Sequence, residues 1–259
     1  MTGPQPVESQ NSPVRDRVSA DEWQARCDLA ACYRICAHLG WDELIFTHLS
    51  LRVPGAAGHF LINPFGLMFS EITASSLVKV DLEGTVVLDN GHVINPAGFV
   101  IHGAVHAART DAHAVLHVHT VAGVGVSCQP GGLLPISQNA LVLLDDLACH
   151  DYEGIALELE ERARLIADIG ARNLVILRNH GLMTLGGTVA EAFIRLYFLQ
   201  RACEMQLAAQ AGGAVITLPD DLVRRVGEQG RFGFGGALAD TVWAAQRRLQ
   251  DARDPSYNS

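Results

Sequence analysis

The short stretch V-L-H-V-H-T, at residues 115–120, constrains the fold of this chain more than any other segment. Its residues suit a buried strand, and side chains two apart in a strand project from the same face. His117 and His119 are therefore expected side by side on one face, while Leu116 and Val118 pack on the other. Two neutral imidazoles held on a rigid strand form a preorganised chelate for a transition metal.

A third histidine, His180, follows a second apolar run in the segment N-L-V-I-L-R-N-H-G. Any one of these histidines, taken alone, is more typical of an ordinary buried or surface residue. The trio in this context favours ligation instead. We therefore predict a metal site formed by His117, His119 and His180.

Length and composition limit the classes of protein to which the chain can belong. It has 259 residues, of which 49% are hydrophobic and 18% charged, and this predicts a globular protein with one large domain or at most two small ones. The formal charge of -9 argues against a nucleic-acid partner, because phosphate binding needs a basic surface. No apolar run is long enough to span a membrane and no secretory leader is recognisable, so we expect no membrane partner and a cytoplasmic location.

Caps, breakers and periodicity predict the order of the elements. We expect a flexible arm at residues 1–18 and a single domain at 19–259. Residues 140–146 are compatible with either a strand or a helix. Helices are predicted at 19–39, 97–109, 120–127, 155–169, 188–210, 220–227 and 237–252, a short helical piece at 73–76, hairpins at 47–64 and 77–88, and a buried strand at 173–178. Together these predict an α/β domain with a central, largely antiparallel sheet sandwiched by helices.

Four sequence blocks, in this order and spacing, resemble the class II aldolase/adducin family. They are T-H-L-S-L-R-V-P-G, F-L-I-N-P-F-G-L-M-F-S-E-I-T-A-S-S-L-V-K-V-D, G-F-V-I-H-G-A-V-H-A-A-R-T-D-A-H-A-V-L-H-V-H-T and L-R-N-H-G-L-M-T-L-G. The resemblance implies a three-layer α/β/α sandwich, a homotetramer and active sites at subunit interfaces. It also implies one divalent metal, held by His117, His119 and His180.

The chain departs from the sugar-phosphate aldolases of this family at their S-S-E triplet, whose glutamate is both ligand and proton shuttle. Pro96, Ala97 and Gly98 stand there instead, and Gly98 can neither ligate nor transfer a proton. Thr47 and His48 replace the glycine and asparagine of the aldolase phosphate loop. Phosphosugar aldol chemistry is therefore not expected, and the pattern is closer to the adducin-like branch.

Further candidate residues surround the predicted site. His102 follows Gly98 by four residues and shares its helix face, so it is a candidate ligand or catalytic group, with a core histidine as the alternative. Tyr152 is a candidate donor to a developing oxyanion, although a surface loop is the more typical role of its segment. His48, Asn63 and Gly66 are candidate substrate contacts. Phe65, Phe69 and Phe99 are expected to make the pocket apolar, which suits a keto acid.

Three functions remain open at this point. A zinc, manganese or iron(II) ion with an open coordination position could support a carbon–carbon lyase or decarboxylase acting on a small carbonyl compound. An all-imidazole site would also suit a mononuclear non-haem iron(II) oxygenase. The third possibility is a non-catalytic, adducin-like binding or assembly module.

Overall fold

A computed structural model of the chain describes residues 13–154, 161–230 and 234–259, without the side chains of residues 97 and 161. The described residues form one mixed sheet with helices on both faces. No helix among them is both long enough and apolar enough to cross a membrane.

Eight described strands form the sheet in the order β4-β3-β2-β1-β5-β8-β7-β6. Neighbouring strands are antiparallel except for β6 and β7, which are parallel. The predicted, largely antiparallel sheet is therefore confirmed. The strands are β1 (His48–Arg52), β2 (Phe60–Ile62), β3 (Val78–Val80), β4 (Val86–Leu88), β5 (Ala114–Val118), β6 (Leu147–His150), β7 (Leu174–Leu177) and β8 (Gly181–Gly186).

One helix of the described residues precedes the strands, and the others lie between and after them. They are α1 (Ala20–His38), α2 (Pro96–Ala108), α3 (Val121–Ser127), α4 (Gln138–Leu141), α5 (Glu161–Ile169), α6 (Val189–Ala211), α7 (Asp220–Gly230) and α8 (Gly236–Arg253). Side-chain caps fix the starts of two of them, α1 and α6: the side chain of Ser19 accepts from Glu22 N, and that of Thr188 accepts from Glu191 N.

The two faces of the sheet carry different helices. Leu116 and Val118 of β5 belong to a large apolar core that includes residues of α1 and α6. Val115, on the opposite face of the same strand, packs in a second core with residues of α2 and α5. This is the expected three-layer arrangement, and it places the odd-numbered side chains of β5 towards α2.

Some predicted elements differ from those observed. The central strand β8 and the edge strand β6 were not predicted, since β8 is a short run between glycines and β6 follows the ambiguous segment at 140–146. That segment contains the end of α4 and a 3₁₀ turn, Leu144–Asp146. The helical piece expected at 73–76 is a turn, preceded by a 3₁₀ helix at Phe69–Glu71.

Two further predictions extend beyond the described part of the chain. The amphipathic helix expected at 155–169 is observed as Glu161–Ile169, and its first six residues lie outside the described residues. Residues 1–12 of the expected arm also lie outside the described residues. Within its remainder, Val14–Arg17 forms a 3₁₀ turn in which Val14 is buried.

Candidate metal centre

Adjacent strands and one tight turn bring the three predicted ligands together. His117 lies in β5 and His119 follows one residue after its end, on the same face. His180 lies in the turn between β7 and β8, where Asn179 has a positive φ of 54°. Asparagine tolerates this left-handed conformation better than most residues, which allows a hairpin this short. Because β8 pairs with β5, the turn lies beside the histidines of β5.

The imidazoles of His117, His119 and His180 converge on one point. One ligand atom from each lies within 4.8 Å of the others, and theirs is the one such cluster among the described residues. The ring centroid of His117 lies 4.6 Å from that of His119 and 4.8 Å from that of His180, and the centroids of His119 and His180 are 4.7 Å apart. The Nε2 atoms of His117 and His119 are 2.8 Å apart.

In two of the rings, the hydrogen bond made by Nδ1 determines whether Nε2, which faces the cluster, carries a lone pair. His117 Nδ1 lies 3.0 Å from the Leu182 carbonyl oxygen, and His119 Nδ1 lies 2.5 Å from Glu43 Oε2. A carbonyl and a carboxylate only accept, so each Nδ1 carries the donated proton. In the neutral rings both Nε2 atoms are then unprotonated and face each other. Such an arrangement is stabilised by a shared cation, so these residues fit a transition metal.

Glu43 was not predicted from the sequence. It lies 76 residues before His119, in a loop where Leu44 and Thr47 both have positive φ, of 52° and 65°. A non-glycine residue in this left-handed backbone conformation costs about 1 kcal/mol or more, and the conformation persists only where the surrounding structure enforces it. The loop therefore holds Glu43 against His119 at some cost in stability.

Burial favours the neutral form of two of the three rings, His117 and His180. Desolvation lowers the pKa of His117 well below its ordinary value, with additional lowering by His180 and His119. Burial also lowers the pKa of His180 to about 4. Neutral imidazoles are the form that binds metals, so these shifts favour ligation at neutral pH.

A cavity of about 490 Å³ contains the cluster. A larger depression of about 770 Å³ lies between α1 and the start of α6, away from the three histidines. We assign the site to the smaller cavity because the metal-ligating cluster forms part of its wall. Its lining residues are Glu43, Phe46, Thr47, His48, Asn95, Gly98, Ile101, His102, His117, His119, Val124, Tyr152, Gly154, Asn179 and His180.

His102 lines this cavity but lies outside the three-histidine cluster. Its Nδ1 lies 2.6 Å from Ser50 Oγ, and the same hydroxyl lies 2.7 Å from Nε2 of His106. Both rings are buried, which lowers the pKa of His102 well below its ordinary value and that of His106 to about 3. The predicted ligand role of His102 is thus not supported by the geometry, whereas its position in the cavity wall is.

The remaining predicted residues divide between the cavity and the core. His48 and Tyr152 line the cavity, and the Tyr152 ring centroid is 6.3 Å from that of His180. Asn63 is buried and its Oδ1 accepts a hydrogen bond of 3.0 Å from the Tyr33 hydroxyl, outside the cavity. Gly66 does not line the cavity either, so both substrate contacts stay predictions.

The expectation that Phe65, Phe69 and Phe99 line the cavity is wrong, because none of the three is among its lining residues. Phe69 packs edge-on against Tyr33 in the main core, and Phe99 stacks on Phe60 in a third apolar cluster. The side chain of Phe69 is fully buried and that of Phe99 is mostly buried, because removing so large an apolar ring from water stabilises the folded chain. The apolar lining comes instead from Phe46, Ile101 and Val124.

Comparison with known proteins shows the family to which the chain belongs. The family model described as Class II Aldolase and Adducin N-terminal domain matches residues 27–207. A Pseudomonas aeruginosa protein, provisionally named a class 2 aldolase, is 53% identical over 258 residues, covering 97% of this chain and 98% of that protein.

An adducin and a solved aldolase structure are also similar. Mouse alpha-adducin is 47% identical over 225 residues, which cover 82% of this chain and 30% of the adducin. The structure of L-fuculose 1-phosphate aldolase from Glaciozyma antarctica superposes with a TM-score of 0.78 at 28% identity, covering 99% of this chain and 97% of that one. By its sequence, its fold and its relatives, the chain belongs to the class II aldolase and adducin family.

Proposed function

We propose that the chain is a metal-dependent enzyme acting on a small, keto acid-like carbonyl compound, of the carbon–carbon lyase or decarboxylase type. The observation that carries the proposal is the convergence of His117, His119 and His180, with the Nε2 atoms of His117 and His119 2.8 Å apart in a cavity wall. The three imidazoles would hold one divalent ion, zinc, manganese or iron(II). When bound, the ion supplies a Lewis acid that polarises a carbonyl oxygen and stabilises an enolate.

The cavity lining supports a substrate without phosphate. Among its described lining residues there is no lysine or arginine. Gly98 supplies no carboxylate to move a proton, and this favours decarboxylation over aldol cleavage, because carbon dioxide leaves without removal of a proton by a base. In this proposal His102 and Tyr152 face the reacting carbonyl compound, and the Tyr152 hydroxyl donates to the developing oxyanion.

Two other functions each have one observation in their favour. Among the described residues the donor set consists of three imidazoles without a carboxylate, which also suits iron(II) and favours an oxygenase on the same fold. The 47% identity to mouse alpha-adducin favours a non-catalytic binding or assembly module. We place the lyase first because the retained ligands and their Glu43 partner have no evident use in a module without a metal.

The proposal includes a homotetramer with sites at subunit interfaces. Apolar side chains are exposed near the cavity: Leu44 and Phe46 follow Glu43, and Val121 follows His119 and Thr120. Val121 is 90% and Leu44 is 63% exposed in the single chain. Exposed apolar side chains grouped in this way are typical of a protein interface.

Turnover under controlled oxygen tests the proposal. The protein is purified anaerobically, loaded in turn with zinc, manganese and iron(II), and assayed with a panel of keto acids. We expect carbon dioxide release that does not require oxygen, is lost in His180→Ala and is kept in His113→Ala, whose histidine is exposed and outside the cluster. Turnover that requires oxygen would establish the oxygenase instead. Absence of turnover in every metal form would favour the binding module.

A further inference from the structure

The space beside Gly98 is occupied by the ring of His48. A Cβ atom added to Gly98 would lie 2.3 Å from both Cε1 and Nδ1 of His48 and 2.4 Å from its Nε2. Real Cβ atoms do not approach other heavy atoms this closely, so no side chain at position 98 is compatible with His48 in its present place. The ring of His48, a residue 50 positions earlier in the chain, therefore fits in this place because residue 98 is a glycine.

His48 is fixed at this place by the sheet. In the register of β1 and β5, His48 lies directly opposite His117, so both side chains project from the face that carries α2. The ring is 6% exposed, and its Nε2 is buried without a hydrogen-bond partner among the described residues. Unpaired buried nitrogens are rare in native proteins, and this one belongs to a residue that lines the metal cavity.

His102 gives the same wall a second imidazole. Its ring centroid lies 6.0 Å from that of His48, and its Nε2 is likewise buried without a described partner. Ser50 fixes the opposite side of the His102 ring. Two neutral imidazoles with unused nitrogens suit a ligand that carries hydroxyl or carbonyl oxygens, whereas a phosphate dianion would be desolvated here without a cationic partner.

We propose that His48 and any side chain at position 98 compete for one place on the cavity wall, so that Gly98 is the specificity-determining residue that lets an imidazole face the substrate. The part of this inference that concerns the substrate rests on the proposed function. The competition itself rests on the contact between His48 and Gly98. His48 then hydrogen-bonds an oxygen of an unphosphorylated carbonyl compound held at the metal centre. The residue at 98 decides whether helix α2 or strand β1 supplies the polar group beside the metal.

A double-mutant cycle on the full chain tests the competition without any assay of activity. The urea midpoint of unfolding is measured for wild type, Gly98→Ala, His48→Ala and the double variant. We expect Gly98→Ala to lower the midpoint when His48 is present, and to leave it unchanged or raise it in His48→Ala, where alanine is the better helix former. The same substitution combined with His113→Ala should be additive. Additivity of Gly98→Ala with His48→Ala would overturn the proposal.

Zinc binding and turnover test the role of His48. We expect His48→Ala and His48→Gln to bind one zinc ion per chain with wild-type affinity, and His48→Ala to lose 100-fold or more in kcat/KM for the keto acid, with partial recovery in His48→Gln. Loss of zinc from either variant would indicate that His48 is a metal ligand. Wild-type turnover in His48→Ala would show that His48 does not contact the substrate. Either result would contradict the proposal. If wild type itself neither binds metal nor turns over, the proposed function fails, while the unfolding cycle still decides whether His48 and residue 98 compete.

Discussion

At the scale of single residues, the metal site depends on proton positions as much as on ligand identity. The Leu182 carbonyl accepts from Nδ1 of His117, and the Glu43 carboxylate accepts from Nδ1 of His119. Because the proton of each neutral ring is then on Nδ1, the lone pairs of both Nε2 atoms point to one place. The parity of an H-x-H strand predicts His117 and His119 on one face. It does not predict Glu43, because a loop residue 76 positions away leaves no signal in spacing or composition.

Removal of the Glu43 carboxylate should weaken metal binding without preventing it. In Glu43→Gln the amide holds the His119 ring less strongly and adds no negative charge, so we expect metal affinity to fall about 10- to 100-fold. Competition with a chromophoric chelator measures the change. Glu83→Gln, at an exposed turn, is the control and should bind metal as wild type does. Equal affinities in the two variants would show that Glu43 does not position His119.

The buried His106 should make stability depend on pH. Burial lowers its pKa to about 3 from an ordinary value of 6.5, so the folded state holds the neutral ring and the unfolded chain takes up a proton below pH 6.5. The stabilisation is complete above pH 6.5 and is lost as the pH falls towards 3, by at most about 1.4 kcal/mol per pH unit.

Urea unfolding at a series of pH values measures this dependence. We expect His106→Gln, which cannot take up the proton, to show a shallower loss of unfolding free energy between pH 6.5 and 4 than wild type. The exposed His113→Gln serves as the control and should follow the wild-type slope. Parallel curves for His106→Gln and wild type would contradict the neutral, buried state of His106.

At the scale of elements, strand β1 and helix α2 form the wall of the cavity together. Gly98, His102 and His106 recur every four residues on one face of α2, and they meet His48 and Ser50 on one face of β1. The helical spacing predicts the alignment of the three α2 residues. It does not predict which strand they meet, because strand order depends on pairing between distant segments.

Ser50 joins the two elements through one hydroxyl that bonds two buried rings. A hydroxyl has one proton, so Ser50 donates to one histidine and accepts from the other. Ser50→Ala leaves both ring nitrogens unpaired in the interior, and we expect a loss of about 1–3 kcal/mol in the free energy of unfolding. Chemical denaturation measures it, with the exposed Ser70→Ala as the control. A loss no larger than that of the control would show that the two hydrogen bonds contribute little.

The elements that the sequence predicts are those with local signals. The capping residues Ser19 and Thr188 mark the starts of α1 and α6, and Gly170 ends α5. Strand β8 has no such signal: its six residues are buried throughout, with glycine at both ends, and it is defined by its pairing with β5 and β7. Glu43 and the contact of His48 with Gly98 also depend on segments that are distant in the sequence: Glu43 contacts His119 from a loop 76 positions earlier, and His48 is placed by the pairing of β1 with β5.

At the scale of the whole molecule, the proposed assembly would cover apolar side chains near the cavity. Val121 is the most exposed of them, and it begins α3 directly after the His119 ligand segment. We expect Val121→Glu to shift the protein from a tetramer to a smaller species, because a buried charge without a partner opposes association. Light scattering coupled to gel filtration measures the mass. Leu249→Glu, on α8, is the control, and a tetramer unchanged in Val121→Glu would place the interface elsewhere.

Metal content per chain is the measurement on which the proposed chemistry depends most directly. The protein is purified under metal-replete, anaerobic conditions and its ions are counted by elemental analysis in wild type, the His117→Ala, His119→Ala double variant and His113→Ala. We expect one divalent transition-metal ion per chain in wild type and in His113→Ala, and none in the double variant. A wild-type protein without metal under these conditions, or a double variant that retains its ion, would contradict the three-histidine centre.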